Sequence, residues 1–285
     1  MKVVAIAIVK NEADIAQEGV REALRWADHF IVYDSGSTDG TPDLAEAAGA
    51  IVLRGPVGEP FNEGLREHPL VVARDFAPDW VWRIDIDEIY HPIPDPRALL
   101  QSALDAEAVA VQAAQAEFWI TLQDVARGLI LEDERVSVQL RRRWYTIGHM
   151  AMVAWRHRPD LFYSMDVNAQ RRRNVPILQD GRDVSQLGAR FPKVMLQRHY
   201  NCRSLPQLLR RMRERTDYSS FGKYRFNLIV DQAFTADVNG KTVGLHYLGP
   251  DGQFDFTVNH DLVYQWYEKS MEAFDGRRKE FRWEG

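Results

Sequence analysis

The chain has 285 residues, 45% of them hydrophobic and 27% charged, with a formal net charge of −5. That is the balance of a soluble globular protein with enough residues for a large core, and it gives no indication of bulk attraction to nucleic acid. The one cysteine, Cys202, excludes an intrachain disulfide and cysteine-rich metal sites, and fits a reducing, cytoplasmic setting.

Val3–Val9 is a continuous apolar run and predicts a strand buried on both faces. It lacks the long apolar core and small-residue cleavage site of a signal peptide, and no stretch approaches the roughly 18 apolar residues of a spanning helix. Apolar positions at helical spacing predict a helix over Ala13–Ala27. His29–Tyr33 predicts the second strand, which runs into the turn-rich loop Asp34–Gly40. Thr41 then reads as the N-cap of a helix over Pro42–Ala48, closed by Gly49. Ala50–Leu53 predicts a third strand, Pro69–Ala77 a short helix, and Trp80–Asp85 a fourth strand. Strand and helix alternate throughout, which argues an α/β fold with a mostly parallel sheet and helices on both faces.

The later part is less regular. A capped helix is predicted from Asp95-Pro96 to about Leu104, and strands over Ala108–Val111, Glu117–Thr121, Val136–Leu140 and Lys193–His199. Arg141–Arg143 and Arg171–Arg173 read as surface charge. Ser204 to Gln207 forms a capping box that opens a basic amphipathic helix. No linker marks a domain boundary.

The most informative stretch is DWVWRIDIDEIYHP, Asp79–Pro92. An apolar strand ends in Asp85, Asp87 and Glu88. On a strand, Asp85 and Asp87 project to one side. Two carboxylates in a dry core would be very costly, so they belong where the strand leaves the sheet, at the end that lines the ligand crevice of open α/β folds. Paired hard oxygen donors suit a divalent cation, Mn²⁺ or Mg²⁺. The turns after the first two strands also carry polar groups: Lys10-Asn11-Glu12, and Asp34 with Asp39.

Four stretches in order resemble one family. KNEAD at Lys10–Asp14, YDSGSTDGT at Tyr33–Thr41, VARDFA around Arg74 and RIDIDE at Arg83–Glu88 are similar to the motifs of GT-A glycosyltransferases of the large inverting family two. HYNCRS at His199–Ser204 resembles a subgroup of it. The resemblance implies a GT-A domain over 1–200, with a nucleotide-binding half at 1–92 and an acceptor half at 93–200. A helical extension over 201–285, packed on the same domain, completes the expectation.

The resemblance also implies roles. The donor is a nucleotide-diphosphate sugar, a UDP-sugar first. The Val9 backbone, Asn11, Glu12, Asp34, Arg74, Asp85 and Arg203 would bind it. Asp34 would accept from the base, as a carboxylate suits an imide N–H; Asp39 reads as turn capping. Asp87 would ligate the metal and His199 is a candidate further ligand. Arg210 and Arg211 could reach the diphosphate. Inversion needs a general base, for which Asp124 ranks before Glu132 and Asp133. Phe118 and Trp119 read as core before sugar-stacking residues. The acceptor hydroxyl belongs to a glycan, a lipid-linked precursor or a small molecule, and peripheral contact with a membrane surface stays open. The usual Glu-Asp acceptor motif is not evident. Rival readings are a non-catalytic sugar-nucleotide-binding module, a phosphatase of the haloacid dehalogenase type, whose Asp-x-Asp sits nearer the N-terminus, and a nucleotidyltransferase, whose Gly-rich loop is missing.

Overall fold

Strand β1 spans Val3–Val9 as expected, and all seven side chains are buried. A run with no polar face can only be satisfied by cover on both sides. The computed structural model describes residues 1–119, 136–166, 175–204, 207, 235–238, 241–244 and 246–247. Its contacts form two units, Met1–Gln115 with Met150–Arg198, and Ala116–His149 with His199–Gly285.

In the first unit, α1 (Ala16–Leu24) buries Ala16, Gly19, Val20 and Ala23, one helical face. There follow β2 (His29–Asp34), α2 (Thr41–Ala47), β3 (Ile51–Arg54), α3 (Glu67–Arg74), β4 (Trp80–Arg83), β5 (Glu88–Tyr90) and α4 (Pro96–Asp105). A short 3-10 turn, Glu63–Arg66, leads into α3. Asp95 caps α4 by accepting the Ala98 N–H at 2.8 Å. Then come β6 (Ala110–Trp119), α5 (Val138–Arg141), β7 (Trp144–Arg156) and β8 (Arg190–His199).

The sheet order is β3-β2-β1-β4-β7-β6-β8-β5. β1 pairs in parallel with β2 and β4, and β2 with β3. β7 runs antiparallel to β4, with Trp82 opposite Ala154. Under the sheet, Val4, Ile6, Ile31 and Val81 pack against Leu70 and Ala73 of α3 and against Trp155 and Tyr163. Burying one such large side chain stabilises by about 1.5–3 kcal/mol. The architecture is an α/β sheet, parallel across β1–β4 and antiparallel at β7, with helices packed on it.

Several local expectations are corrected. Val136–Leu140 is not a strand: Ser137 Oγ accepts the Gln139 N–H at 3.2 Å and starts α5. Five alternating residues fit one helical turn as well as a strand, and the cap decides. Arg141 and Arg142 are not surface charge; both are buried. Arg141 donates to Val136 O at 2.9 Å, and Arg142 donates to the carbonyls of Arg141 and Arg203. The two strands expected at 108–111 and 117–121 are one strand, β6. Two of its polar residues are bonded: within the first unit Gln115 reaches Glu88, and within the second Glu117 reaches His199.

In the second unit, Phe118 is core, stacked on Tyr200 at 4.5 Å between ring centres. Ser204 Oγ accepts the Gln207 N–H at 3.1 Å, the first half of the expected capping box. Most of the expected helical extension, including Arg210 and Arg211, lies outside the described residues. The described pieces there are β9 (Thr235–Val238) with β10 (Lys241–Gly244), and β11 (His246–Tyr247) paired with β7.

Candidate functional site

Three turns follow the carboxyl ends of β1, β2 and β4, which are adjacent strands. The first two are stitched together. Asn11, at φ 54°, donates its N–H to Ser37 Oγ at 2.8 Å, and its Oδ1 accepts the Thr38 N–H at 2.8 Å. The Glu12 N–H reaches Thr41 Oγ1 at 2.8 Å and the Ala13 N–H reaches Asp39 Oδ2 at 3.1 Å. Asp39 therefore ties turns together, in line with the capping expectation. Thr41 is the first residue of α2 and not its N-cap; Gly40, at φ 84°, precedes it. The Val9 carbonyl accepts the Ser35 N–H at 2.9 Å, and the Glu12 carbonyl accepts from Ile15 and Ala16 to start α1.

Asp34 sits where β2 ends and is almost fully buried. Its Oδ2 accepts the Ser37 N–H at 3.0 Å, while its Oδ1 is buried without a hydrogen-bond partner. Leaving a buried acceptor unsatisfied costs about 1–3 kcal/mol. Beside it, the Tyr33 hydroxyl donates to Glu59 Oε2 at 2.8 Å and its ring stacks on His68. Burial, reinforced by Glu59, pushes the Tyr33 phenol up to about 12.

The carboxylate turn departs from expectation. β4 stops at Arg83, and the last bond to the sheet is Ile84 N–H to Ile6 O at 3.1 Å. The chain then turns, closed by Glu88 N–H to Asp85 O at 2.9 Å. Strand alternation therefore does not govern Asp85 and Asp87. Asp85 Oδ1 accepts from Arg66 Nη2 at 2.6 Å, and Oδ2 from Arg83 Nη1 at 2.9 Å. Burial would raise the Asp85 carboxyl; Arg66 and Arg83 outweigh it and hold it below the usual carboxylate range. Asp87 is buried, 4% exposed, two residues on. The turn also rests on α1, because a Cβ on Gly19 would lie 2.0 Å from Ile86 O. Only glycine allows that approach.

Arg74 is not brought to this turn. It donates to Leu161 O at 2.8 Å and to Glu67 Oε1 at 3.2 Å. The arginine that meets this turn is Arg66: fully buried, bonded to Glu63 and Asp85, with Nη1 unpartnered. Sequence reading missed Arg66 because the helix was expected to begin at Pro69, which left Arg66 in a loop. The available signal was Glu63, three residues earlier, a ready ion-pair partner on a helical turn.

In the second unit, His199 Nδ1 lies 2.9 Å from Glu117 Oε2, which also accepts from Asn201 at 3.0 Å. A carboxylate on Nδ1 places the proton there and keeps the lone pair on Nε2, the tautomer of a metal ligand. Arg203 is fully buried, donates to Tyr200 O at 3.0 Å and is packed as a structural residue. Asp124, Glu132, Asp133 and Arg171–Arg173 lie outside the described residues.

Among the described residues no group of three or more His, Cys, Asp or Glu side chains stands ready to hold a metal ion. Asp87, a hard oxygen donor in a turn, fits one ligand position of a divalent cation; Asp85, with both oxygens on arginines, does not. No described helix is long and apolar enough to cross a membrane.

Parallel strands with acidic turns at three adjacent carboxyl ends are the layout in which open α/β sheets place a ligand crevice. The family model described as Glycosyl transferase family 2 matches residues 4–154, more than half of the chain, and the chain belongs to that family. The haloacid dehalogenase reading is thereby set aside.

Similar solved structures include a mycobacterial protein at 21% identity, covering 54% of this chain and 53% of that one, with a TM-score of 0.35. Another is glucosyl-3-phosphoglycerate synthase from Mycobacterium tuberculosis with Mg²⁺ and UDP, at 26% identity, 41% and 43% coverage, and a TM-score of 0.33. A third is S. aureus TarS, at 18% identity, 43% and 22% coverage, and a TM-score of 0.27. The chain spans about half the length of the first of these, at 53%.

Proposed function

We propose that this chain transfers a sugar from a uridine diphosphate donor to an acceptor hydroxyl, with a divalent cation and with inversion. The observation that carries the donor is the Asp34 carboxylate, which keeps one buried oxygen unpartnered beside the ends of β1 and β2. A carboxylate only accepts, so it suits the imide N–H of uracil and opposes the ring acceptor of cytosine. Asn11 and Glu12 line the same stitched turns. Arg66, with an unpartnered buried N–H, replaces Arg74 as the arginine facing the nucleotide.

Asp87 is the proposed metal ligand, and Asp85 an anchor held by arginines. His199 remains a candidate second ligand, supported within its own unit by the Glu117 contact. When bound, the cation neutralises the diphosphate leaving group as a Lewis acid. Asp124 stays the candidate base, to take the acceptor's proton. The acceptor is a glycan, lipid-linked or small-molecule hydroxyl.

Calorimetry with UDP and CDP, each with and without Mn²⁺, tests this reading. UDP should bind at least about tenfold more tightly than CDP, and Mn²⁺ should tighten it further, one lost charge-assisted hydrogen bond being worth about that factor. Equal binding of the two bases would defeat the Asp34 assignment. Metal-dependent release of UDP from a UDP-sugar separates a catalyst from a non-catalytic binding module.

A further inference from the structure

The Asp85–Glu88 turn is pinned at both ends, and one side chain meets both pins. Asp85 is fixed through Oδ2 by Arg83 Nη1 at 2.9 Å, and through its backbone N–H by Glu88 Oε2 at 2.9 Å. Glu88 is fixed in turn, its Oε1 lying 3.6 Å from Arg83 Nη1 and 3.4 Å from Gln115 Nε2. Between the pins lie only Ile86, pressed against Gly19, and Asp87. The frame is drawn from β4, β5 and β6, and Arg83 and Glu88 are both about 2% exposed. Arg66 touches Asp85 alone in this turn, so Arg83 is the cation that spans it.

We infer that Arg83 and Glu88 are positioning residues that hold the Asp87 backbone in place for metal-assisted nucleotide binding. The inference rests on the transferase reading above. Neither residue touches substrate in it; they act through Asp87. Metal–oxygen distances tolerate only about 0.2 Å of error, so a ligand carried on a two-residue arch needs both feet fixed. A buried arginine between two carboxylates supplies this with directed N–H groups, which a point charge on a flexible stem does less well. Glutamate at 88 adds the acceptor that ties the turn's own N–H.

The test is calorimetry of UDP binding by the full chain, with and without Mn²⁺, on wild type, Arg83→Gln, Arg83→Lys, Glu88→Gln and Asp87→Asn. Arg83→Gln should lose at least about tenfold in Mn²⁺-dependent UDP affinity while metal-free UDP affinity, set at Asp34, stays within about twofold. Arg83→Lys should recover part of the loss. A purely structural role would instead lower both affinities together with the melting temperature. Glu88→Gln keeps an acceptor for the Asp85 N–H and should fold where Arg83→Gln does not; it should show a smaller loss of the same kind. A Mn²⁺-dependent gain that is undiminished in both Glu88→Gln and any folded Arg83 variant would overturn the inference alone. A wild type with no Mn²⁺-dependent gain, indistinguishable from Asp87→Asn, would overturn the metal reading and this inference together.

Discussion

Arg66 Nη2 lies 2.6 Å from Asp85 Oδ1, across 19 residues of chain, and both groups take most of their surroundings from the protein interior. The pair makes Asp85 a neutralised anchor, and it puts Arg66, not Arg74, at the Asp85 turn.

Replacing these two arginines should separate them. Arg66→Met removes one partner of a buried ion pair and should cost about 3 kcal/mol, at the low end because Asp85 keeps Arg83. It should also weaken UDP binding at least about tenfold, as a charge-assisted contact would. Arg74→Met breaks a partly exposed pair with Glu67, both side chains about a quarter exposed, and a bond to Leu161 O, and should cost about 1–2 kcal/mol with unchanged UDP affinity. Denaturant melts and calorimetry read both effects. The reverse order would restore Arg74 to the site.

Asp34→Asn keeps the shape at the end of β2 and removes the charge. One amide atom must face Ser37 N–H and one the ligand. With the oxygen on Ser37, the NH₂ faces the base and should repel a uracil imide N–H while donating to a cytosine ring nitrogen. The preference for UDP over CDP should therefore shrink by about tenfold or more, since a mismatched polar pair is costly. An unchanged preference would remove Asp34 from base reading.

Gly19→Ala places a methyl group 2.0 Å from the Ile86 carbonyl oxygen, well inside contact distance. Backbone must move, at a cost of about 1–3 kcal/mol for overpacking. The displaced element is the turn that carries Asp87, so Mn²⁺-dependent UDP binding should fall more than metal-free binding. Uniform loss of both would mean that α1 merely supports the fold.

His91 gives a pH dependence with a definite sign. Arg198 Nη2 lies 3.0 Å from His91 Nδ1, so the ring is held as an acceptor there. Burial, and then the Arg198 charge, push its pKa from 6.5 down to about 4. Above 6.5 the ring is neutral folded or unfolded and contributes nothing to the pH dependence. Between 6.5 and about 4 the unfolded chain takes up a proton that the folded one refuses, so stability falls as the pH falls. His91→Gln keeps an acceptor for Arg198 and should flatten that segment of the stability profile, measured by denaturant midpoints from pH 7 to pH 4. An unaltered slope would place the titrating group elsewhere.

Much was legible in order along the chain. Val3–Val9 could only be a doubly covered strand, since seven apolar residues leave no face for water. The alternation from β1 to β4, the acidic turn after β2 and the acid pair after Arg83 could be read because local pattern and turn chemistry act over a few residues. The family followed from the same stretches. What the tertiary structure alone decided was which charge meets which. Arg66 and Arg74 are both reasonable arginines by spacing; only the path of the 3-10 turn into α3 brings Arg66 to Asp85. Asp85 and Asp87 look equivalent as a motif, yet two arginines from different elements, Arg66 and Arg83, both engage Asp85. Arg141 and Arg142 look like surface charge until the carbonyls of Val136 and Arg203 arrive to accept their N–H groups. Periodicity records which face a side chain points to, whereas the partner of a buried charge is set by where distant backbone lies, to within a hydrogen-bond length.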